Sequence, residues 1–340
     1  MAIKANNNNR YHALSAFWQN SGMLVIFIIG FAISALLVPQ FCTWTNMNGL
    51  ALSIATVGMV ACTMMFCLAS GDFDLSVGSV VACSGVLSVM VANETGSTAL
   101  GILAGLVAGV LVGILNGIVI ARFGINALIT TLATMQIVRG SAYLASDGKA
   151  VSCRMDAFNA IGNFSPDKIG FLKPLSNVPV IGEIMKFTTP VWVTLACFII
   201  FGILLNRTTY GRNTLAIGGN KEAARLAGIN VTRTKLLNFV LQGLIAALAG
   251  VIIASRLTSG QPKTSEGLEL RTMSACVLGG VSLSGGVATI TGVVVGVLIM
   301  GSVQNIMDLK NIDSFWQLVV SGLILLAAVL FDRLKQRRTN

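Results

Sequence analysis

The sequence predicts an all-α integral membrane protein of about ten transmembrane helices, and three observations carry that prediction. First, 54% of the 340 residues are hydrophobic, only 11% are charged and the mean hydropathy is +0.81. A water-soluble domain carries about 25% charged residues, so most of this surface must face bilayer hydrocarbon. Second, the chain divides into ten apolar runs, most of which reach the roughly 20 residues a helix needs to cross the hydrocarbon core. Third, the formal net charge of +10 falls on one side of those runs.

In chain order the runs are 22–39, 49–70, 75–93, 98–121, 124–145, 190–206, 236–256, 271–282, 286–307 and 315–331, the eighth being short. The first follows Lys4 and Arg10 as a signal peptide would, but no small-x-small cleavage site follows in ALLVPQFCTW, so it reads as a retained anchor. The expected organisation is a cytoplasmic N-terminal tail (1–21), a membrane domain (22–331) and a cytoplasmic C-terminal tail (332–340). Within the membrane domain lie an outer loop (146–189) and a cytoplasmic loop (207–235).

With the N-terminus cytoplasmic, ten spans place both tails, Arg122, the 207–235 loop and the turn near 283 on one side. That side holds thirteen basic residues against Glu222 and Asp332, whereas the opposite side holds nine of each sign. Lys/Arg excess on the cytoplasmic side is what the positive-inside rule requires, so the charge itself supports an even span count and cytoplasmic termini. No nucleic-acid partner is needed to explain it; the bilayer suffices.

Composition also excludes chemistry. The single histidine, His12, lies in the N-terminal tail, which excludes Ser/His/Asp triads and His-x-x-x-His zinc sites, and no metal site is expected. Of seven cysteines, Cys62, Cys67, Cys83, Cys197 and Cys276 sit inside apolar runs and read as small hydrophobes. No G-x-x-x-x-G-K-[ST] phosphate loop occurs, so any ATP the system uses is held by a partner.

The fourth run carries Gly101, Gly105, Gly109, Gly113 and Gly117 at strict spacing of four. One face of that helix is therefore bare backbone, suited to close helix packing in lipid. The second run ends in SGDFDLSVGS and the eighth in LGGVSLSGGV; at an offset of 208, Gly71, Leu75, Ser76 and Gly78 fall on Gly279, Leu283, Ser284 and Gly286. This suggests a parallel repeat, runs 2–5 echoed by 7–10, with helix breaks at Asp72, Asp74 and Ser76 and at Gly279, Gly280, Ser282 and Ser284. Broken helices in corresponding halves often mark a transport path. Asp74 falls on Ser282, and both are N-cap residue types, so Asp74 is expected to cap a helix starting at Leu75. Pathway lining and proton coupling are its alternatives. Arg139, within the fifth run, is expected to snorkel to the outer interface, the alternative being a carbonyl or carboxylate partner inside the bundle.

The 207–235 loop is too long for a turn. Asn220 follows Gly218 and Gly219 and suits an N-cap, 221–227 are strong helix formers and Gly228 suits the position after the C-cap. A helix of two turns is too short to persist alone in water, so a partner is expected to dock here, at Gly218, Gly219, Asn220, Glu222, Ala223, Ala224, Arg225 and Gly228. The stretch EAARLAG, Glu222, Ala223, Ala224 and Arg225 through Gly228, resembles the E-A-A-x-x-x-G core by which bacterial ABC-importer permeases contact their ATPase subunits. SGDFDLSVGS, NALITTLATMQIVRG, SDGKAV, GRNTLAIGGNKEAARLAG, SRLTSGQP and SACVLGGVSLSGG together resemble the monosaccharide importer permeases of the ribose/xylose/arabinose family. FCLASGDFDLSV and FDRLKQ are most similar to its L-arabinose branch. The likeness covers most of residues 20–336; the Asn-rich tail and the outer loop 153–189 depart from it.

The resemblance implies a type II-like ABC permease, doing no covalent chemistry and holding no cofactor of its own, with ATP and Mg on a cytoplasmic sugar ATPase. It also implies a periplasmic sugar-binding protein, a second copy of the chain, residence in the bacterial inner membrane and import of a monosaccharide, L-arabinose foremost. The rival reading is an ion-coupled secondary sugar transporter that uses Asp72 and Asp74 as coupling carboxylates. An integral-membrane enzyme is disfavoured, because no acids, Cys or Lys cluster on one face.

Overall fold

A computed structural model of the chain describes residues 22–169 and 178–339; the N-terminal tail with Lys4, Arg10 and His12 lies outside them. Among the described residues there are fourteen α-helices. They are α1 (Gly22–Leu37), α2 (Trp44–Ala69), α3 (Val77–Thr95), α4 (Thr98–Ala121), α5 (Ala127–Ala145), α6 (Asp156–Asn163) and α7 (Pro179–Met185). Then come α8 (Thr189–Arg207), α9 (Thr209–Gly219), α10 (Lys221–Leu226), α11 (Val231–Arg256), α12 (Leu268–Leu278), α13 (Ile290–Leu309) and α14 (Ser314–Thr339). Each of the ten apolar runs falls on a helix. Six helices, α2, α3, α4, α8, α11 and α13, are long and apolar enough to cross a membrane. The helix on the eighth run, α12, has 11 residues and rises only about 16 Å, half the thickness of the hydrocarbon core. α14 continues through most of the C-terminal tail.

The centre of the bundle is α2, α3 and α11. The lower half of α2, from Met59 to Ala69, is buried almost without interruption and packs on Val77, Val80 and Val81 of α3 and Ala246, Ala249 and Ile252 of α11. α4 lies across α3 and α11 and shows the reason for its glycines. Side chains at Gly101 and Gly105 would run into Ser88, Ala92 and Ser84 of α3, and at Gly109, Gly113 and Gly117 into Ala247, Phe239 and Leu236 of α11. The opposite face carries exposed Leu103, Val107, Leu111 and Leu115. One helix thus presents backbone to the bundle and leucines outward, an inversion of soluble amphipathicity that lipid permits.

The segment following α5 is built onto the ends of α3 and α11. Two-residue strands β1 (Val151–Ser152) and β2 (Ser259–Gly260) pair antiparallel, Val151 opposite Gly260. Phe158 of α6 is fully buried against Val89, Ala92, Val251 and Ala254, and Gly162 N–H donates to Ser255 Oγ at 2.7 Å. All seven cysteines are unbridged, with Cys62, Cys67, Cys83, Cys197 and Cys276 buried.

Candidate functional site

The two breaks meet at one end of the bundle. α2 stops at Ala69, and the chain runs non-helically through 70–76 before α3; α12 stops at Leu278, and 279–289 precede α13. Both helices end with the same backbone device. Asp72 N–H donates to Cys67 C=O and Gly71 N–H to Leu68 C=O, and Val281 N–H donates to Cys276 C=O and Gly280 N–H to Val277 C=O. Gly71 and Gly280 take the left-handed φ values of +79° and +86° that this cap demands. The cap therefore recurs at an offset of 209, one residue more than the sequence alignment. Gly280, not Gly279, is the left-handed residue; Gly279 lies backbone to backbone against Gly292 of α13. The following side-chain turn keeps the offset of 208: Asp74 Oδ1 accepts from Ser76 N–H at 2.9 Å, and Ser282 Oγ from Ser284 N–H at 3.2 Å.

Asp74 acts differently from expectation. α3 starts at Val77 rather than Leu75, so Ser76 holds the N-cap position and Asp74 forms an Asx turn just ahead of it. The carboxylate is buried and is the terminus of a hydrogen-bond chain through three elements. Thr134 Oγ1 of α5 donates to Asn116 Oδ1 (2.7 Å), Asn116 Nδ2 of α4 to Ser76 Oγ (3.0 Å), and Ser76 Oγ to Asp74 Oδ1 (2.6 Å). Asn116 and Thr134 were not among the sequence-derived candidates. The signal for Asn116 was present, an amide inside the apolar run ILNGIV, since buried amides in lipid need partners.

Asp72 has a partner the sequence did not reveal. Lys235 Nζ, in the first turns of α11, lies 2.9 Å from Asp72 Oδ1 and 2.8 Å from Oδ2, with side chains only 12% and 8% exposed. Ser70 Oγ reaches the same carboxylate at 3.4 Å, Asn238 Nδ2 donates to Ser70 Oγ at 3.0 Å, and Tyr210 Oη of α9 donates to Asn238 Oδ1. Removing one member of such a buried pair typically costs about 3–5 kcal/mol, because the other is left charged and unpaired.

The short helix α10 lies beside these groups. Asn220 Oδ1 accepts from Ala223 N–H at 2.9 Å, and Ile229 N–H to Ala224 C=O with Gly228 N–H to Arg225 C=O closes the far end around Gly228 at φ +85°. Sequence alone extends the helix one residue further, to 227. Ala224 is buried against the bundle, while Leu226 is 85% exposed and Glu222 and Arg225 pair on the open face at 2.8 Å. Immediately before Asn220, Gly218 and Gly219 are wedged between the breaks. A side chain on Gly218 would run into Ala69 C=O and Gly286 N, and Gly286 N–H donates to Ala69 C=O at 2.9 Å. Candidate residues from all three stretches, 69–76, 218–228 and 279–286, thus form one assembly.

Arg139 has the carbonyl partners that were the alternative to snorkelling. Its guanidinium donates from Nη1 to Pro262 C=O (2.7 Å) and Thr264 C=O (2.8 Å), fastening α5 to the segment entering α12. The segment after β2 turns back to meet Arg139 and Gly78, satisfying a cation that lipid would penalise. Among the described residues no cluster of His, Cys, Asp and Glu could hold a metal ion.

Comparison with known proteins agrees with this architecture. Residues 46–329 match the family described as branched-chain amino acid transport system / permease component. The chain is 58% identical to the L-arabinose transport system permease protein AraH of Escherichia coli (strain K12), over 94% of this chain and 92% of that protein. It is 49% identical to the L-arabinose ABC transporter permease protein AraH of Azospirillum brasilense (96% and 92% covered). It is 38% identical to the ribose import permease protein RbsC of Bacillus subtilis (strain 168), with 96% of each covered. No solved structure matches the chain. This bundle of apolar, glycine-packed helices, matched over more than nine-tenths of the chain by membrane permeases, belongs to this family of transport-system permease components.

Proposed function

We propose that the chain is the membrane-spanning permease subunit of an ABC importer that carries L-arabinose across the bacterial inner membrane. The observation that carries this reading is the 58% identity, over 94% of the chain, to a protein named as an L-arabinose permease; identity to the ribose permease is 38%. The family description speaks of branched-chain amino acids, but the sugar permeases are the relatives matched across nearly the full length. In this reading the chain pairs with a second copy of itself and holds no cofactor. A cytoplasmic ATPase binds ATP and Mg, and a periplasmic binding protein delivers the sugar. Ten crossings, arranged as two parallel-repeat halves with both termini cytoplasmic, are supported by the charge asymmetry and by the like caps at the two breaks.

The ATPase docks on 220–228, where a capped helix exposes Leu226, Glu222 and Arg225. Its differential affinity for two permease states drives alternation between inward-facing and outward-facing forms. Ion coupling through Asp72 and Asp74 finds no support: Lys235 neutralises the first, Ser76 engages the second, and the Azospirillum brasilense relative is named as an ABC transporter permease. The test is competition in proteoliposomes containing permease, ATPase and binding protein, with labelled L-arabinose against D-ribose, D-xylose and D-galactose. The proposal expects L-arabinose to be the preferred cargo; equal or better uptake of another sugar refutes the assignment of cargo.

A further inference from the structure

The docking helix is tied at both ends to the same few residues of the first break. On its N-terminal side, Gly218 sits against Ala69 C=O, and Gly285 and Gly286 lie so close to Gly218 and Gly219 that Cβ atoms on them would be 2.8 and 2.9 Å from the facing Cα atoms. On its C-terminal side, Lys235 grips Asp72. The second break enters through Gly286 N–H, which donates to Ala69 C=O. The Gly218 contacts are backbone on backbone, and the Asp72–Lys235 pair is buried, with side chains only 8% and 12% exposed.

We propose that Gly218 and the Asp72–Lys235 pair form the joint that transmits movement of the docking helix to both helix breaks at once. Displacing α10 loads Ala69 through Gly218 and Asp72 through Lys235. Because Ala69 is hydrogen-bonded to Gly286, the break after α12 follows the break after α2. The joint rests on the reading of 220–228 as the ATPase dock, and it assigns to these residues transmission rather than docking.

The experiment uses the permease assembled with its ATPase and binding protein in proteoliposomes, reading ATPase co-purification, ATP hydrolysis and sugar imported per ATP. Two variants are compared with the wild type: Gly218→Ala, and the double variant Asp72→Asn with Lys235→Gln, which leaves no unpaired buried charge. The joint predicts that both retain the ATPase and its hydrolysis while sugar per ATP falls about ten-fold. If Gly218→Ala fails to fold, the double variant decides. A ratio within about two-fold of wild type in the folded variants overturns the joint. Loss of the ATPase from them overturns it too, since these residues would then hold the docking surface. The docking reading is judged separately by Glu222→Ala with Arg225→Glu: retention of the ATPase by that variant refutes docking whatever the Gly218 result.

Discussion

Gly113 offers a quantitative test of how the bundle is held together. A Cβ at this position would lie 2.9 Å from Val240 Cα and 3.0 Å from Phe239 C, where carbon atoms in contact need about 3.5–4.0 Å. The shortfall is roughly 0.5–1.1 Å, and every neighbour is backbone, so α4 and α11 must part rather than rotate a side chain. Overpacking of this kind costs about 1–3 kcal/mol, and the rigidity of the neighbours places Gly113→Ala at the upper end. Against it stands the helix-propensity gain of about 1 kcal/mol for replacing glycine by alanine, leaving a net loss of about 2 kcal/mol. At about 2.1 cal/mol/K of unfolding entropy per residue, a chain of 340 residues shifts by roughly 1.4 °C per kcal/mol, so the melting temperature falls by about 3 °C. Gly140→Ala in α5 is the matched control, because nothing lies within 4 Å of its Cβ position; it keeps the gain and melts at or above the wild type. A thiol-reactive dye reads the transition in detergent, since Cys62, Cys67, Cys83, Cys197 and Cys276 are buried until the bundle opens. Equal shifts at the two positions, or an unchanged melt for Gly113→Ala, would refute close glycine packing as the source of cohesion.

Other substitutions probe the polar interior. Gln242 is fully buried with neither amide atom hydrogen-bonded, so Gln242→Met should raise stability by about 1–3 kcal/mol; a lower melt would mean the amide has work in another state of the transport cycle. Asn116→Leu cuts the chain from Thr134 to Ser76 and should lower stability by about 1–3 kcal/mol in the same assay, with no change counting against the chain. Asp74→Asn keeps an acceptor for Ser76 N–H and should preserve uptake, whereas uptake lost at normal expression would give the carboxylate charge a transport role.

Much of the fold was legible because lipid imposes simple local rules: apolar runs locate helices, and glycine at every fourth residue marks a face that neighbours can approach. The cap of α10 was equally readable, since Asn220 and Gly228 are local signals of helix start and stop. What the sequence hid were pairings over long separations. Lys235 meets Asp72 across 163 positions, and reading the lysine as one more cytoplasmic charge gave no reason to join them. The Gly218 contact was invisible for a similar reason: Gly218 and Gly219 stood only as part of the docking stretch ahead of the cap at Asn220, whereas the lack of a side chain at Gly218 serves an approach by Ala69 and Gly286. The partners of Arg139 were hidden in the same way, since the carbonyls of Pro262 and Thr264 lie 123 and 125 positions further along the chain.

The most direct test of the central claim is energetic. In proteoliposomes containing the permease, its ATPase and the binding protein, L-arabinose uptake should require ATP and all three proteins and should continue when ionophores abolish proton and sodium gradients. Uptake by the permease alone, driven by an ion gradient without ATP, would contradict the assignment.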